Sequence, residues 1–283
     1  MPKRKNLKQD KIAVTSWGTR GSIATCEKEM LRYGGNTPCV SIHYKKQWFI
    51  CDAGTGIHRL GKKLMADKKP VALFFSHLHW DHIFGLPFFA PLYQRGRKFL
   101  LAGPTYRGES FKKTFQKVMR PPYFPIGPGI WSSQIRWINL KSGQVKVGSV
   151  CVEVREVFHR GKTFGFQFYF PGGRRVAYVT DHELYGDKKK FARWIRGVDL
   201  LIHDSTYDRR EYASHKDWGH SAFEDVVELA IREKIKKLVL FHHHPDVSDR
   251  TLEKRLGRCR KMIRRHKSSL QCLLAKEGMT LFA

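Results

Sequence analysis

Residues 71–82, VALFFSHLHWDH, set an apolar run directly before three histidines and an aspartate. An apolar run of that length between polar segments reads as a buried β-strand. His77, His79 and Asp81 stand two residues apart. A strand that runs on through them aims all three at one face, with His82 where the chain turns. Imidazole and carboxylate together suit zinc, manganese or iron. A histidine-rich polar loop is the alternative. The full HxHxDH spacing after an apolar strand favours a metal site.

At 283 residues, with 41% hydrophobic residues, the chain can bury a sizeable core, so disorder is excluded. No stretch approaches the ~20 apolar residues of a membrane helix. The basic N-terminus, MPKRKNLKQDK, has no apolar segment after it, so it reads as a disordered leader over residues 1–11 rather than a signal peptide. The six cysteines are widely spaced without a CxxC pair, as expected of small buried thiols in a reducing, cytoplasmic setting. A disulfide framework is the alternative. The net charge of +28 is spread over several patches. It is compatible with RNA, with a small anionic substrate, or with a merely solvated basic surface.

Strands are expected over residues 12–17, 40–44, 48–51, 71–76, 99–102, 135–139, 145–147, 150–157, 164–170, 176–180, 200–204, 238–241 and 270–274. Helices are expected over 57–65, 83–89, 109–118, 188–196, 221–233 and 249–266. Phe164, Phe166, Phe168 and Phe170 alternate, which predicts one buried face on that strand. Residues 120–128 carry four prolines and read as a loop, either a stiff connector or a pocket wall through Tyr123 and Phe124. GTRGS at 18–22 and YGGNT at 33–37 are turns near the site or ordinary connections; near a site, Arg20 can meet a phosphate. Asp52, at a strand end, can orient a ligand histidine or cap the next helix. Nothing repeats and no linker divides residues 12–283, so one domain is expected.

Four later polar residues also end apolar strands: His159, Asp181, Asp204 and His242. Polar groups repeated at one edge of a sheet imply a shared site. HLHWDH with these residues resembles the metallo-β-lactamase-fold hydrolases, from about Trp17 to the C-terminus. GTRGS, YGGNT, LIHD at 201–204, WGHS at 218–221 and LFHH at 240–243 are similar to the phosphodiesterase-like branch. That branch includes cyclic-nucleotide phosphodiesterase-like proteins and is akin to the tRNA 3′-processing ribonucleases and the cyclic-phosphate phosphodiesterases. The resemblance implies an α/β (α+β) four-layer αββα sandwich with the site at one edge of paired sheets.

By the same resemblance, two divalent ions per chain are expected, zinc first, with manganese and iron open. His77, His79 and His159 would hold one ion. Asp81, His82 and His242 would hold the other, and Asp181 would bridge them. His243 and His244 adjoin His242 and compete for its place. Such a metal pair, roughly 3.5–4 Å apart, shares a hydroxide and clamps phosphate oxygens. Asp81 would orient that nucleophile. His220, paired with Asp204, would be the general acid for the leaving alkoxide. Alternatively, Ser221 and Glu224 form a capping box for the helix that follows. His203 reads as a core histidine. Lactamase activity is not expected, because no cysteine stands at Asp181. The expected function is hydrolysis of a small phosphodiester, with a 3′,5′-cyclic nucleotide as first candidate. RNA processing is second, and a nucleic-acid-binding protein with a structural metal is third. No membrane partner is expected; the sequence leaves the oligomeric state open, with a homodimer as one option because related enzymes are often dimers.

Overall fold

The computed structural model describes residues 10–184 and 188–283. Residues 1–9 of the expected leader lie outside them. Two seven-stranded sheets face each other. The first has the order β14-β1-β2-β3-β4-β5-β6. Its strands are β1 (Ile12–Gly18), β2 (Cys39–Tyr44), β3 (Gln47–Cys51), β4 (Val71–Phe74), β5 (Lys98–Pro104), β6 (Gln134–Leu140) and β14 (Thr280–Phe282). The second has the order β13-β12-β11-β10-β9-β8-β7. It comprises β7 (Gly143–Val147), β8 (Val150–Val157), β9 (Thr163–Tyr169), β10 (Arg175–Val179), β11 (Leu200–Asp204), β12 (Lys237–Phe241) and β13 (Gln271–Leu274). The last strand, β14, crosses back to pair antiparallel with β1. No sequence pattern announced it, because three half-exposed residues carry too little alternation.

Within the first sheet β3, β4, β5 and β6 run parallel. In the second, β10, β11, β12 and β13 run parallel, and β8 shares their direction because two antiparallel pairings separate it from β10. Parallel strands end at the same edge, and so do the loops that follow them. This topology collects the polar strand ends at one place.

The layer between the sheets is apolar. Phe49 and Phe74 of the first sheet meet Phe166 and Phe168 of the second, with centroids 5.4–5.9 Å apart. Rings at such distances add ~0.5–1.5 kcal/mol per pair beyond their area burial. The β9 strand is buried on both faces rather than the one expected: Gly165 and Gln167 point the other way, and Gly165 lies against Trp194. Helices α1 (Ile57–Leu64) and α3 (Phe111–Val118) pack outside the first sheet. Helices α4 (Lys188–Ile195), α6 (Phe223–Arg232) and α7 (Asp249–Arg265) cover the second. The result is the four-layer αββα sandwich. No helix among the described residues is long and apolar enough to cross a membrane. All six cysteines are free, but Cys26 is exposed and Cys151 half-buried, unlike the other four.

Three local expectations fail. The HxHxDH strand stops at Phe74, because Asp52 captures both the N–H and the hydroxyl of Ser76 and ends the ladder. His77 and His79 therefore lie on a loop, and Asp81 and His82 on a single helical turn, α2 (Trp80–Ile83). Two short 3-10 turns follow where one helix over 83–89 was expected, since Pro87 and Pro91 interrupt it. The Ser221–Glu224 capping box does not form either. The Ser221 hydroxyl donates to the carbonyl of His182, and α6 starts behind Ala222 without a side-chain cap. A capping box does occur on the unexpected helix α5 (Arg209–Ser214), between Asp208 and Glu211.

Candidate metal centre

Two of three groups of potential ligands sit side by side at the shared edge; the third joins Asp204, His220 and His242. One joins His77, His79, His159 and Asp181; the other joins Asp81, His82, Asp181 and His242; in each, the ligand atoms lie within 4.8 Å of one another. Asp181 belongs to both. Its Oδ2 stands 3.7 Å from Nε2 of His77 and 3.7 Å from Nε2 of His159. Its Oδ1 stands 3.2 Å from Nε2 of His82 and 3.1 Å from Nε2 of His242. Asp81 Oδ2 faces the same two rings at 3.2 and 3.4 Å. His243 turns away and pairs with the carbonyl of Ala275, while His244 lies outside the cluster.

The rings are held from behind. His77 Nδ1 meets the Ser76 hydroxyl at 3.0 Å, His82 Nδ1 meets Asp52 at 2.9 Å, and His159 Nδ1 meets the carbonyl of Gly219 at 2.9 Å. Holding one ring nitrogen fixes the tautomer and leaves the other to the site. Accordingly, Nε2 of His77, His82 and His242 are buried without a hydrogen-bond partner among the described residues. Three orphaned ring nitrogens beside two carboxylates are the donor set a divalent cation satisfies, so the residues fit a metal.

Charge follows the same layout. Burial keeps the His77, His79 and His159 rings below the usual histidine range, hence neutral and able to ligate. Burial opposes the ionised form of Asp181, but His242 and His82 outweigh it and hold the carboxyl well below its usual range. His82 is the exception: despite burial, Asp181, Asp81 and Asp52 push it well above the ordinary value. A cation would take over the role of that proton.

Strained backbone aims these groups. Asp52, Asp181 and His242 are non-glycine residues with φ of 61°, 46° and 61°, each just past a strand. Each such residue costs on the order of 1–3 kcal/mol, and such strain clusters at functional sites.

Next to the cluster, His220 Nδ1 stands 2.6 Å from Asp204 Oδ2. The His220 ring stacks on His242 at 4.9 Å. Burial disfavours its charged form, yet Asp204 prevails and raises the ring to about 9. His203 lies in the core, as expected, against His182.

Other residues were missed or misread. Arg20 meets no phosphate: it is fully buried, donating to the carbonyls of Gly34, His244 and Val247 and facing Asp249 at 3.5 Å. It ties the 18–22 loop to the loop after His242. In that loop, the Ser22 N–H donates to Asp81 Oδ2 at 2.8 Å. Gly21 makes room for His242, since a Cβ there would stand 2.1 Å from the ring. The GTRGS turns were the only signal for this pair. Asp52 also accepts from the Tyr178 hydroxyl at 2.7 Å, a cross-sheet contact that no local pattern carries. Tyr123 and Phe124 do wall a cavity of about 560 Å³, with Trp80, Phe84, Phe88 and Val118. Trp80 and Phe84 are exposed, whereas Asp81 and His82 of the same turn are buried.

Comparison with known proteins agrees with this fold. Residues 47–243 match the family model described as the beta-lactamase superfamily domain. Ribonuclease Z of Thermococcus kodakarensis is 25% identical over 272 residues, 80% of this chain and 82% of its own length. The metallo-beta-lactamase fold protein YhfI from Bacillus subtilis superimposes with a TM-score of 0.74 at 17% identity, covering 97% of this chain and 100% of that one. Unliganded yeast PDE1 gives a TM-score of 0.68 at 12% identity, covering 97% and 100%. At such identities the two structures speak to the fold.

Proposed function

The chain belongs to the beta-lactamase superfamily and is a metal-dependent hydrolase, and on that footing we propose that it cleaves phosphodiesters with two divalent ions. The observation that carries this reading is the His220–Asp204 pair at 2.6 Å beside the ligand cluster. Ester hydrolysis at phosphorus expels an alkoxide, which needs a proton, and a protonated His220 beside the cluster can supply it.

His77, His79 and His159 would hold one ion and Asp81, His82 and His242 the other, with one oxygen of Asp181 toward each set. Zinc is the first choice, with manganese and iron compatible with the same donors. Bound there, the metals supply Lewis-acid activation of phosphate oxygens and of water. The protein's own part is distinct. Asp81, fixed by the Ser22 N–H, orients the attacking water. Asp204 holds His220 protonated and aimed, and the ring hands its proton to the departing oxygen.

For the substrate, the exposed residues about the ligands include the apolar Ile23, Trp80, Phe158 and Trp218, with Arg160 beside His159. A rim of this kind suits a compact phosphodiester bearing a flat or apolar group, such as a 3′,5′-cyclic nucleotide. A groove for a long polyanion would be edged with lysine and arginine. The second reading is an RNA substrate, favoured by the relatives named ribonuclease Z and by the +28 charge. Zinc-loaded protein given cyclic AMP, bis-p-nitrophenyl phosphate and a precursor tRNA in parallel tests both. Turnover of the first two supports the compact substrate. Turnover of the tRNA alone replaces it with the RNA reading, and no turnover of any of them overturns phosphodiester cleavage.

A further inference from the structure

One buried carboxylate near the site has no part in the proposed chemistry. Glu183 is fully buried, two residues past Asp181. A carboxylate in that position is costly unless donors converge on it. Three do. The Tyr212 hydroxyl donates to Oε1 at 2.5 Å, the Asp217 N–H to Oε1 at 3.0 Å, and the Gly219 N–H to Oε2 at 2.9 Å. The backbone N–H of Glu183 itself donates to the carbonyl of Phe158 at 2.9 Å. This one residue therefore touches the segment before His159, the segment after Asp181, and the loop that carries His220.

The Gly219–His220 step is what makes the contact consequential. The carbonyl of Gly219 accepts from His159 Nδ1, and the next side chain is His220 on Asp204. Gly219 has φ of 86°, and a Cβ there would stand 2.1 Å from His159 Nδ1. The backbone thus passes against the imidazole with no slack. Glu183 holds the N–H side of Gly219 and His159 its carbonyl, so the glycine is pinned in both flanking peptide planes and the next residue starts from a fixed peptide.

We propose that Glu183 is a positioning residue that couples a metal ligand, His159, to the proton donor, His220, by fixing the Trp218–Gly219 peptide, which adjoins the Gly219–His220 peptide that the two share. The coupling to His220 rests on the phosphodiesterase reading; the hold on His159 does not. Glu183→Gln preserves the shape but leaves one acceptor oxygen where two were used, so its amide must face a backbone N–H. The expected result has two parts. Zinc affinity, measured on metal-free protein by competition with a chromophoric chelator, weakens by about 10–100-fold at one of the two equivalents. Turnover of cyclic AMP falls at least ~10-fold further than that of bis-p-nitrophenyl phosphate, whose leaving group needs no proton, with KM little changed. If Glu183→Gln does not fold, Tyr212→Phe keeps the carboxylate, removes one donor, and shifts both readouts the same way by less. Unchanged zinc affinity overturns the hold on His159. Equal losses on the two substrates overturn the hold on His220. A parent protein that cleaves neither substrate removes the phosphodiesterase reading, and the zinc titration still decides the hold on His159.

Discussion

The two sides of the cluster are built differently. On the first sheet, His77, His79, Asp81 and His82 come from six consecutive residues, and one carboxylate, Asp52, braces them by closing the strand end and holding His82. On the second sheet, His159, Asp181 and His242 come from three strand ends spread over residues 159–242. Their bracing runs from loop to loop: Glu183 to Gly219, Gly219 to His159, Arg20 to the carbonyls past His242. A contiguous set takes its geometry from local backbone. A dispersed set takes its geometry from sheet topology and from peptide groups that no ligand motif contains. The second side is therefore vulnerable at residues that never touch a metal.

The predictions probe that contrast. Asp181→Ala should have the largest effect, because its two oxygens face both sides: bound zinc drops below two equivalents by elemental analysis, and turnover falls by ~1,000-fold or more. Two retained equivalents would break the idea of a shared carboxylate. His220→Ala should cost ~100–10,000-fold in kcat on cyclic AMP and far less on bis-p-nitrophenyl phosphate, with zinc content unchanged. Asp52→Asn should weaken zinc ~10–100-fold on the contiguous side, read by chelator competition. It should spare the ratio of the two substrates, which Glu183→Gln changes; a changed ratio would erase the distinction between the braces. Gly21→Ala should be the mildest. Its Cβ displaces the His242 ring, and thermal unfolding should show a loss of ~1–3 kcal/mol. No loss of stability and no weakening of zinc would mean that the 18–22 loop is an ordinary turn.

The same contrast explains what the sequence disclosed. HxHxDH is legible because its residues adjoin and follow an apolar run, although the local path is a loop and one helical turn rather than a strand. The alternating phenylalanines between the sheets are legible because period-two patterning reports burial directly. His159, Asp181 and His242 stand out only as polar residues ending strands, and their grouping needs the topology. Glu183 gives no signal: its three donors are a tyrosine hydroxyl and two backbone N–H groups 29–36 residues away. Arg20 is misleading in the opposite sense, because an arginine among glycines suggests a site for a bound anion, whereas its partners are backbone carbonyls and the protein's own Asp249.

Contiguous and dispersed ligands close one site around Asp181, and the proposal gives that site two metals. Zinc stoichiometry of the parent protein, by elemental analysis after loading and desalting, tests it most directly. Two equivalents per chain are predicted. One equivalent or none would contradict the account.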